Sequence, residues 1–280
     1  MKPLTLGFSP CPNDTFIFHA LVHGIVGVPD LAFEPTLADV ETLNLAAAAA
    51  ELDVAKVSYG ALPFLLDRYR LLRSGGALGR GCGPLLVALR PTRSDAIGEL
   101  SIAIPGRLTT ANLLLRLFEP RVAETVTMEY DRIMPAVAAG EVDAGLIIHE
   151  SRFTYPQHGL VKIVDLGQWW EEATGSPIPL GAIVARRSLG ERTSDVEGAI
   201  RASVERALAD PSASAGYVRR HAQEMSDEVT RQHIDLYVNE FSIDVGDAGE
   251  RSVKELLSRA SAAGLVPAAS GDPFQFDGST

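Results

Sequence analysis

The sequence of 280 residues predicts an α/β protein whose two lobes face each other across a cleft. Three observations predict it. The stretch E-V-D-A-G-L-I-I-H-E-S (141–151) reads as a buried strand, and its opening is repeated as E-L-D-V-A-K-V-S (51–58), displaced by 141 − 51 = 90 positions. The segments L-T-L-G-F-S-P-C-P-N-D-T (4–15) and L-S-I-A-I-P-G-R-L-T-T-A (100–111) each join a short strand, a proline-containing turn and a helix start, with Asn13 and Asp14 opposite Thr109 and Thr110 at a spacing of 109 − 13 = 96. Two further apolar strands, 84–89 and 179–186, lead out of the first half and back into it.

Along the chain, residues 4–8 read as the first strand and 14–23 as a helix closed by Gly24, since glycine takes the left-handed stop without steric cost. An extended segment at 31–37 precedes a helix over 40–51 capped by Asp39, and the strand ending at Ser58 follows. Residues 59–69 read as another helix and the glycine-rich stretch 73–84 as a loop. From Leu100 the strand, turn and helix order repeats. The last third is helical. Ser194 with Glu197 and Asp247 with Glu250 read as capping boxes, and Pro211 as a first-turn proline. These helices are expected on the first lobe, which comprises residues 1–90 and 180–265 with 91–179 as the second. Residues 266–280, rich in Pro, Ser, Gly and Asp, are expected to be disordered.

Composition bounds the function. Hydrophobic residues make up 46% and charged residues 22%, as in an ordinary globular protein, and the net charge of −11 argues against nucleic acid or an anionic membrane as partner. Cys11 and Cys82 form no C-x-x-C pair, there is no secretory leader pattern, and no apolar run is long enough to span a bilayer, so a reduced, cytoplasmic setting is expected.

His149 leads the candidate chemistry. An imidazole at the carboxyl end of a strand stands where open α/β sheets bind ligands, and its ordinary pKa suits a general base near neutrality. A histidine that hydrogen-bonds across the lobe interface fits the same pattern. Lys56 and Ser58 share one face of the equivalent strand in the first half. A lysine among apolar residues either meets an acid or awaits an anionic ligand, and the ligand is the slightly favoured reading. Asn13, Asp14, Thr109 and Thr110 are helix-cap types, and the N–H groups they accompany suit a carboxylate. H-A-L-V-H (19–23) has the spacing of a metal pair but lacks the glutamate of H-E-x-x-H, so no metal is expected. Neither a P-loop, a dinucleotide fingerprint nor a G-x-S-x-G elbow is present. Trp169 and Trp170 fit either a core or the lining of an aromatic site.

Four blocks, F-S-P-C-P-N-D-T-F (8–16), D-V-E-T-L-N (39–44), R-S-G-G-A-L-G-R-G (73–81) and G-L-I-I-H-E-S-R-F-T-Y (145–155), resemble the 1,4-dihydroxy-6-naphthoate synthases of the futalosine route to menaquinone, a likeness running from about residue 4 to 264. The resemblance implies a periplasmic-binding-protein-like (type II) fold with a double-stranded hinge and a central cleft. It also implies a lyase reaction that releases 1,4-dihydroxy-6-naphthoate and dihydroxyacetone from cyclic dehypoxanthine futalosine without metal or organic cofactor. The family's histidine matches His149, its substrate-contacting strand Lys56, Val57 and Ser58, and its threonine pair Thr109 and Thr110. Chorismate dehydratase, the sister activity of the pathway, and a non-catalytic small-acid binder are the alternatives.

Overall fold

The computed structural model describes residues 2–222, 226–268 and 271–274. The first half runs β1 (Leu4–Phe8), α1 (Pro12–Val22), β2 (Phe33–Leu37), α2 (Val40–Ala48), β3 (Val54–Ser58), β4 (Tyr69–Leu71) and β5 (Ala77–Gly79). The second runs β6 (Leu85–Ala88), β7 (Ile102–Ile104), α3 (Thr110–Phe118), β8 (Thr125–Thr127), α4 (Tyr130–Ala139), β9 (Ala144–Ile147), α5 (Ser151–Thr154), β10 (Val161–Asp165) and α6 (Leu166–Thr174). The chain then returns through β11 (Ile178–Arg186) to α7 (Arg192–Ala209), α8 (Ala215–His221), α9 (Asp227–Tyr237), α10 (Glu240–Ile243) and α11 (Gly246–Ala262).

The first sheet has the order β2-β1-β3-β11-β4, with β5 also on β11, and the second has the order β8-β7-β9-β6-β10. Each places three parallel strands beside one antiparallel strand, β11 in the first and β6 in the second. The duplication is therefore real at the level of pairing. Leu6 faces Val54 in one sheet and Ile102 faces Ala144 in the other, which reproduces the two displacements as 102 − 6 = 96 and 144 − 54 = 90. β6, counted in sequence with residues 1–90, pairs with β9 and β10, so the crossing to the second sheet lies before Leu85.

Strand alternation divides the core. Val54, Ile183 and Ala185 face α1 and α7, whereas Ala55, Val57, Ala182 and Val184 join the large cluster that continues under α3, α6 and α11. A third cluster lies between the second sheet and α4, around Val87, Ile133 and Ile147. Helices α7, α8 and α9 pack on α1, but α11 also reaches α3 of the second half.

Several local expectations need correction. α1 begins at Pro12 with Cys11 as its cap, so Asn13 and Asp14 lie inside the first turn, freed to bond elsewhere. Residues 59–69 form a short 3-10 segment (Tyr59–Phe64) and then β4, because Pro63 and a turn interrupt the helix. β5 lies within the glycine-rich stretch, where Gly75 takes φ +79° and a Cβ would stand 2.2 Å from the Ile183 side chain. Neither box in the last third forms. α7 starts two residues before Ser194, leaving Glu197 to accept from the Arg73 N–H, and Glu250 pairs with the Arg73 guanidinium. The capping box that does form is Asn239 with Ser242. Pro211 opens a 3-10 turn as expected. Of the tail, Phe274 is buried against the core and Asp272 pairs with Lys254 at 2.6 Å, whereas residues 269–270 and 275–280 lie outside the described residues.

Candidate active site

Both sheets deliver their strand ends to one cavity of about 80 Å³. Asn13, Asp14, Lys56, Val57, Ser58, Thr109, Thr110 and His149 all line it. The candidates read from the sequence thus come together at one cavity, where each has its own partners.

Lys56 meets an acid. Alternation along β3 turns it to the Val54 face, where α1 lies, and its Nζ sits 3.1 Å from Asp14 Oδ1 and donates to Gly75 O at 2.6 Å. Both partners are almost fully buried, so the pair is a rigid internal strut whose desolvation is met by further bonds. Asp14 Oδ2 accepts from the Ser9 hydroxyl at 2.8 Å, and Asp14 Oδ1 from Asn13 Nδ2 at 2.9 Å. Lys56 therefore has an acid partner in the fold while standing in the cavity wall.

Thr109 is the side-chain cap of α3, accepting from Asn112 N at 3.2 Å and donating to Gly106 O at 2.8 Å. Thr110 ties the halves together, since its hydroxyl accepts from Gly60 N at 3.0 Å and donates to Leu180 O at 2.7 Å. With both hydroxyls engaged, what the start of α3 can offer a ligand is its backbone N–H groups, which the first turn of a helix leaves without intrahelical partners. Ser58 is held by Asn44, whose Oδ1 accepts from Ser58 N at 2.8 Å and whose Nδ2 donates to Ser58 Oγ at 3.2 Å, leaving the hydroxyl proton available. Asn44 Nδ2 also reaches Glu41 Oε2 at 3.1 Å. Glu41 in turn accepts from Leu108 N at 3.1 and 3.2 Å, across the cleft mouth. Gly106 makes room for this, because a Cβ there would lie 2.4 Å from the Glu41 carboxyl carbon.

His149 follows β9 in the left-handed backbone region, at φ +56°. For a residue with a Cβ that conformation costs on the order of 1–2 kcal/mol, and such strain gathers at functional sites. Its ring packs edge-on to Tyr130 at 5.3 Å and stacked on His233 at 6.1 Å, makes no hydrogen bond to any described residue, and opens on the cavity. Burial lowers its proton affinity below the ordinary imidazole value of 6.5; Glu150 and Asp14 oppose that shift, and Lys56 adds to it. His149 is therefore neutral at pH 7, with a free ring nitrogen able to accept a proton.

Sequence reasoning passed over the shell behind it. His233 and Tyr237 are the two buried residues of α9, one turn apart, and His233 Nε2 lies 2.9 Å from Asn13 Oδ1. Glu150 is buried and accepts from the Tyr130 hydroxyl at 3.1 Å. A histidine on the apolar stripe of a charged helix was the available signal. Cys82 also lines the cavity, and burial pushes its thiol up to about 12, which leaves it unreactive. Cys11 is likewise buried and free. Trp170 is core, donating to Pro177 O at 3.1 Å, and Trp169 packs on Phe118. His19 and His23 stack with Tyr217, and among the described residues no group of three or more His, Cys, Asp or Glu is placed to hold a metal ion. Among the described residues, no helix is long and apolar enough to cross a membrane.

Comparison with known proteins follows the same lines. The 1,4-dihydroxy-6-naphthoate synthase of Thermus thermophilus is 58% identical over 267 residues, covering 95% of this chain and 97% of that protein. The synthase of the same name from Streptomyces coelicolor is 52% identical over 280 residues, covering 98% of each. Among solved structures, a protein from Archaeoglobus fulgidus superposes with a TM-score of 0.89 at 36% identity, covering 94% of this chain and 98% of that one. The ligand-binding component of an ABC-type import system from Staphylococcus aureus, at TM-score 0.72 and 13% identity over 98% and 96% of the two chains, shares the fold alone. So does a Candida albicans protein described as having the generic periplasmic binding protein fold, at TM-score 0.68 and 14% identity over 98% and 94%. The sequence pattern of the family described as menaquinone biosynthesis matches residues 4–262, nearly the whole two-lobed structure, and with identities above one half on either side of it the chain belongs to that menaquinone biosynthesis family.

Proposed function

We propose that the protein is a lyase of menaquinone biosynthesis that converts cyclic dehypoxanthine futalosine to 1,4-dihydroxy-6-naphthoate and dihydroxyacetone in the cytoplasm, with His149 as general base. The observation that carries the reading is a neutral imidazole with no protein hydrogen bond, held by a strained turn in the wall of a cavity between two lobes. The names of the two relatives support the product, 1,4-dihydroxy-6-naphthoate.

In this reading the substrate carboxylate is met by the Ser58 hydroxyl and the first N–H groups of α3, donors that an otherwise acidic protein has to concentrate locally. A ring nitrogen of His149 takes a proton from the cyclic substrate. The electron pair released breaks the bond to the sugar-derived fragment and leaves an aromatic ring, while the departing fragment regains a proton to leave as dihydroxyacetone. Asp14 favours the imidazolium that forms. The Glu41–Leu108 bond holds the lobes closed, excluding water while the base is aligned. Residues up to the crossing before Leu85, together with those from β11 onward, act as one lobe and the residues between as the other.

The test is incubation of purified protein with cyclic dehypoxanthine futalosine and, separately, with chorismate, read by mass spectrometry. Release of the naphthoate is expected. Turnover of chorismate alone, or binding of the futalosine compound without turnover, overturns the reading.

A further inference from the structure

Behind His149 lies a pair of buried acceptors on neighbouring elements, Glu150 after β9 and His233 on α9. Among the described residues, Glu150 Oε2 and His233 Nδ1 are both buried without a hydrogen-bond partner, and they stand 3.9 Å apart. The tautomer of His233 is fixed from the far side. Lys56 and Ser9 anchor Asp14, whose carboxylate takes the Asn13 amide N–H, so Asn13 presents its oxygen to His233 and Nε2 must carry the hydrogen. The other nitrogen, Nδ1, is then a bare lone pair aimed at a carboxylate oxygen. The second carboxylate oxygen already accepts from Tyr130, whose hydroxyl burial keeps protonated. An unmet buried acceptor is destabilising, and here there are two.

We propose that Glu150 and His233 share one proton, held between Oε2 and Nδ1, and that this pair is the positioning element for His149. A single proton satisfies both orphaned atoms once they approach by about 1 Å, to the length of a charge-assisted bond. It also makes the pair electrically neutral. His149, stacked on His233, therefore works beside a neutral support and remains an uncharged base at rest. Burial and the neighbouring His149 independently lower the affinity of His233 for a second full proton. The other groups facing the pair are Asp14 and Lys56 from α1 and β3, which neutralise each other, Tyr130 from α4, and Tyr237 one turn along α9. Cys11 and Arg152 lie nearby, the latter paired with Asp165 at 2.7 Å.

The inference rests on the general-base reading of His149 for its functional consequence but not for its structural one, so two readouts separate them. In protein labelled with ¹⁵N-histidine and without substrate, the His233 Nδ1 resonance is expected to be that of a nitrogen engaged by a proton across roughly pH 6 to 9. A free, unprotonated Nδ1 throughout that range overturns the proposal. In turnover of cyclic dehypoxanthine futalosine, Glu150→Gln keeps a neutral donor to Nδ1 and is expected to retain kcat within about threefold, with the acidic limb of the pH profile moved by less than about 0.3. Glu150→Ala leaves Nδ1 unmet and is expected to lose about tenfold or more in kcat, with KM little changed. If the native pair is instead a bare carboxylate, Glu150→Gln shifts the limb by about one pH unit to lower pH, the size of a nearby charge removed, and the proposal fails. Absence of turnover by the native protein alongside an engaged Nδ1 would sink the lyase reading and leave the shared proton standing.

Discussion

Glu41→Ala opens the cleft. The Glu41 carboxylate, on the first turn of α2, accepts the Leu108 N–H from the loop that leads into α3, and it is buried where it does so. Such charge-assisted bonds contribute about 1.5–3 kcal/mol. At 1.36 kcal/mol per tenfold, removing this one shifts the closed-to-open equilibrium by roughly 10- to 150-fold. Apparent affinity falls by the fraction of protein that remains closed, so KM is expected to rise toward that factor while kcat changes by less than about threefold. Glu41→Gln, which keeps an acceptor oxygen, should fall between. The assays are steady-state kinetics and small-angle scattering on the unliganded protein, where Glu41→Ala should increase the radius of gyration. Unchanged KM together with unchanged scattering would show that the bond to Leu108 does not hold the lobes, and the latch would have to be sought in Thr110, which bonds both Gly60 and Leu180.

Four further outcomes are expected. His149→Ala lowers kcat by about a hundredfold or more with binding largely kept, as general-base losses do, and near-normal turnover would mean another residue takes the proton. Ser58→Ala raises KM for the acid substrate about tenfold but leaves an uncharged ester analogue unaffected, whereas Thr109→Ala, removing a helix cap, costs about 1 kcal/mol in stability; equal losses for acid and ester on Ser58→Ala would end the assignment of Ser58 to the carboxylate. Lys56→Met strands Asp14 in the core and destabilises by about 3–5 kcal/mol, read by denaturant unfolding, with Asp14→Asn restoring part of the loss if the ion pair is the cause. Stability falls on acidification below about 6.5, because burial lowers the proton affinity of His149 in the folded state and the unfolded chain binds its proton first; His149→Asn should flatten that dependence, and an unchanged slope would show that His149 does not contribute it.

The duplicated strand and turn carried most of the architecture, because burial on both faces writes itself into apolar runs and helix entries into cap residues. The 96 and 90 displacements survive as ladder partners for that reason. Helix boundaries in the last third were less legible. Ser194 and Glu197 satisfy a capping box in spacing, yet Glu197 is claimed by Arg73, which is 124 positions away and invisible to a local rule. The partners of Lys56 and the threonines were hidden for the same reason. Their residue types announce donors at a cleft, but what each donor meets is decided by Asp14, Leu180 and Gly60 in other elements. His233 and Glu150 become a pair only when α9 folds back on the end of β9, 83 positions apart in sequence.

The first sheet cannot be completed in the order in which the chain is made. β3 has β1 on one side, but its other neighbour, β11, begins at Ile178, and Gly181 pairs with Ser58 across more than a hundred residues. Every strand of the second sheet, by contrast, lies between Leu85 and Asp165. On a ribosome the second sheet is therefore whole while the first still presents one open edge, on the strand carrying Lys56 and Ser58. Contacts of such separation form slowly, and an open apolar strand edge invites pairing with other chains until its partner arrives. The strand that closes this edge also brings Leu180 to Thr110, so the last strand of the first sheet to be made is the one that joins the two halves beside the cavity.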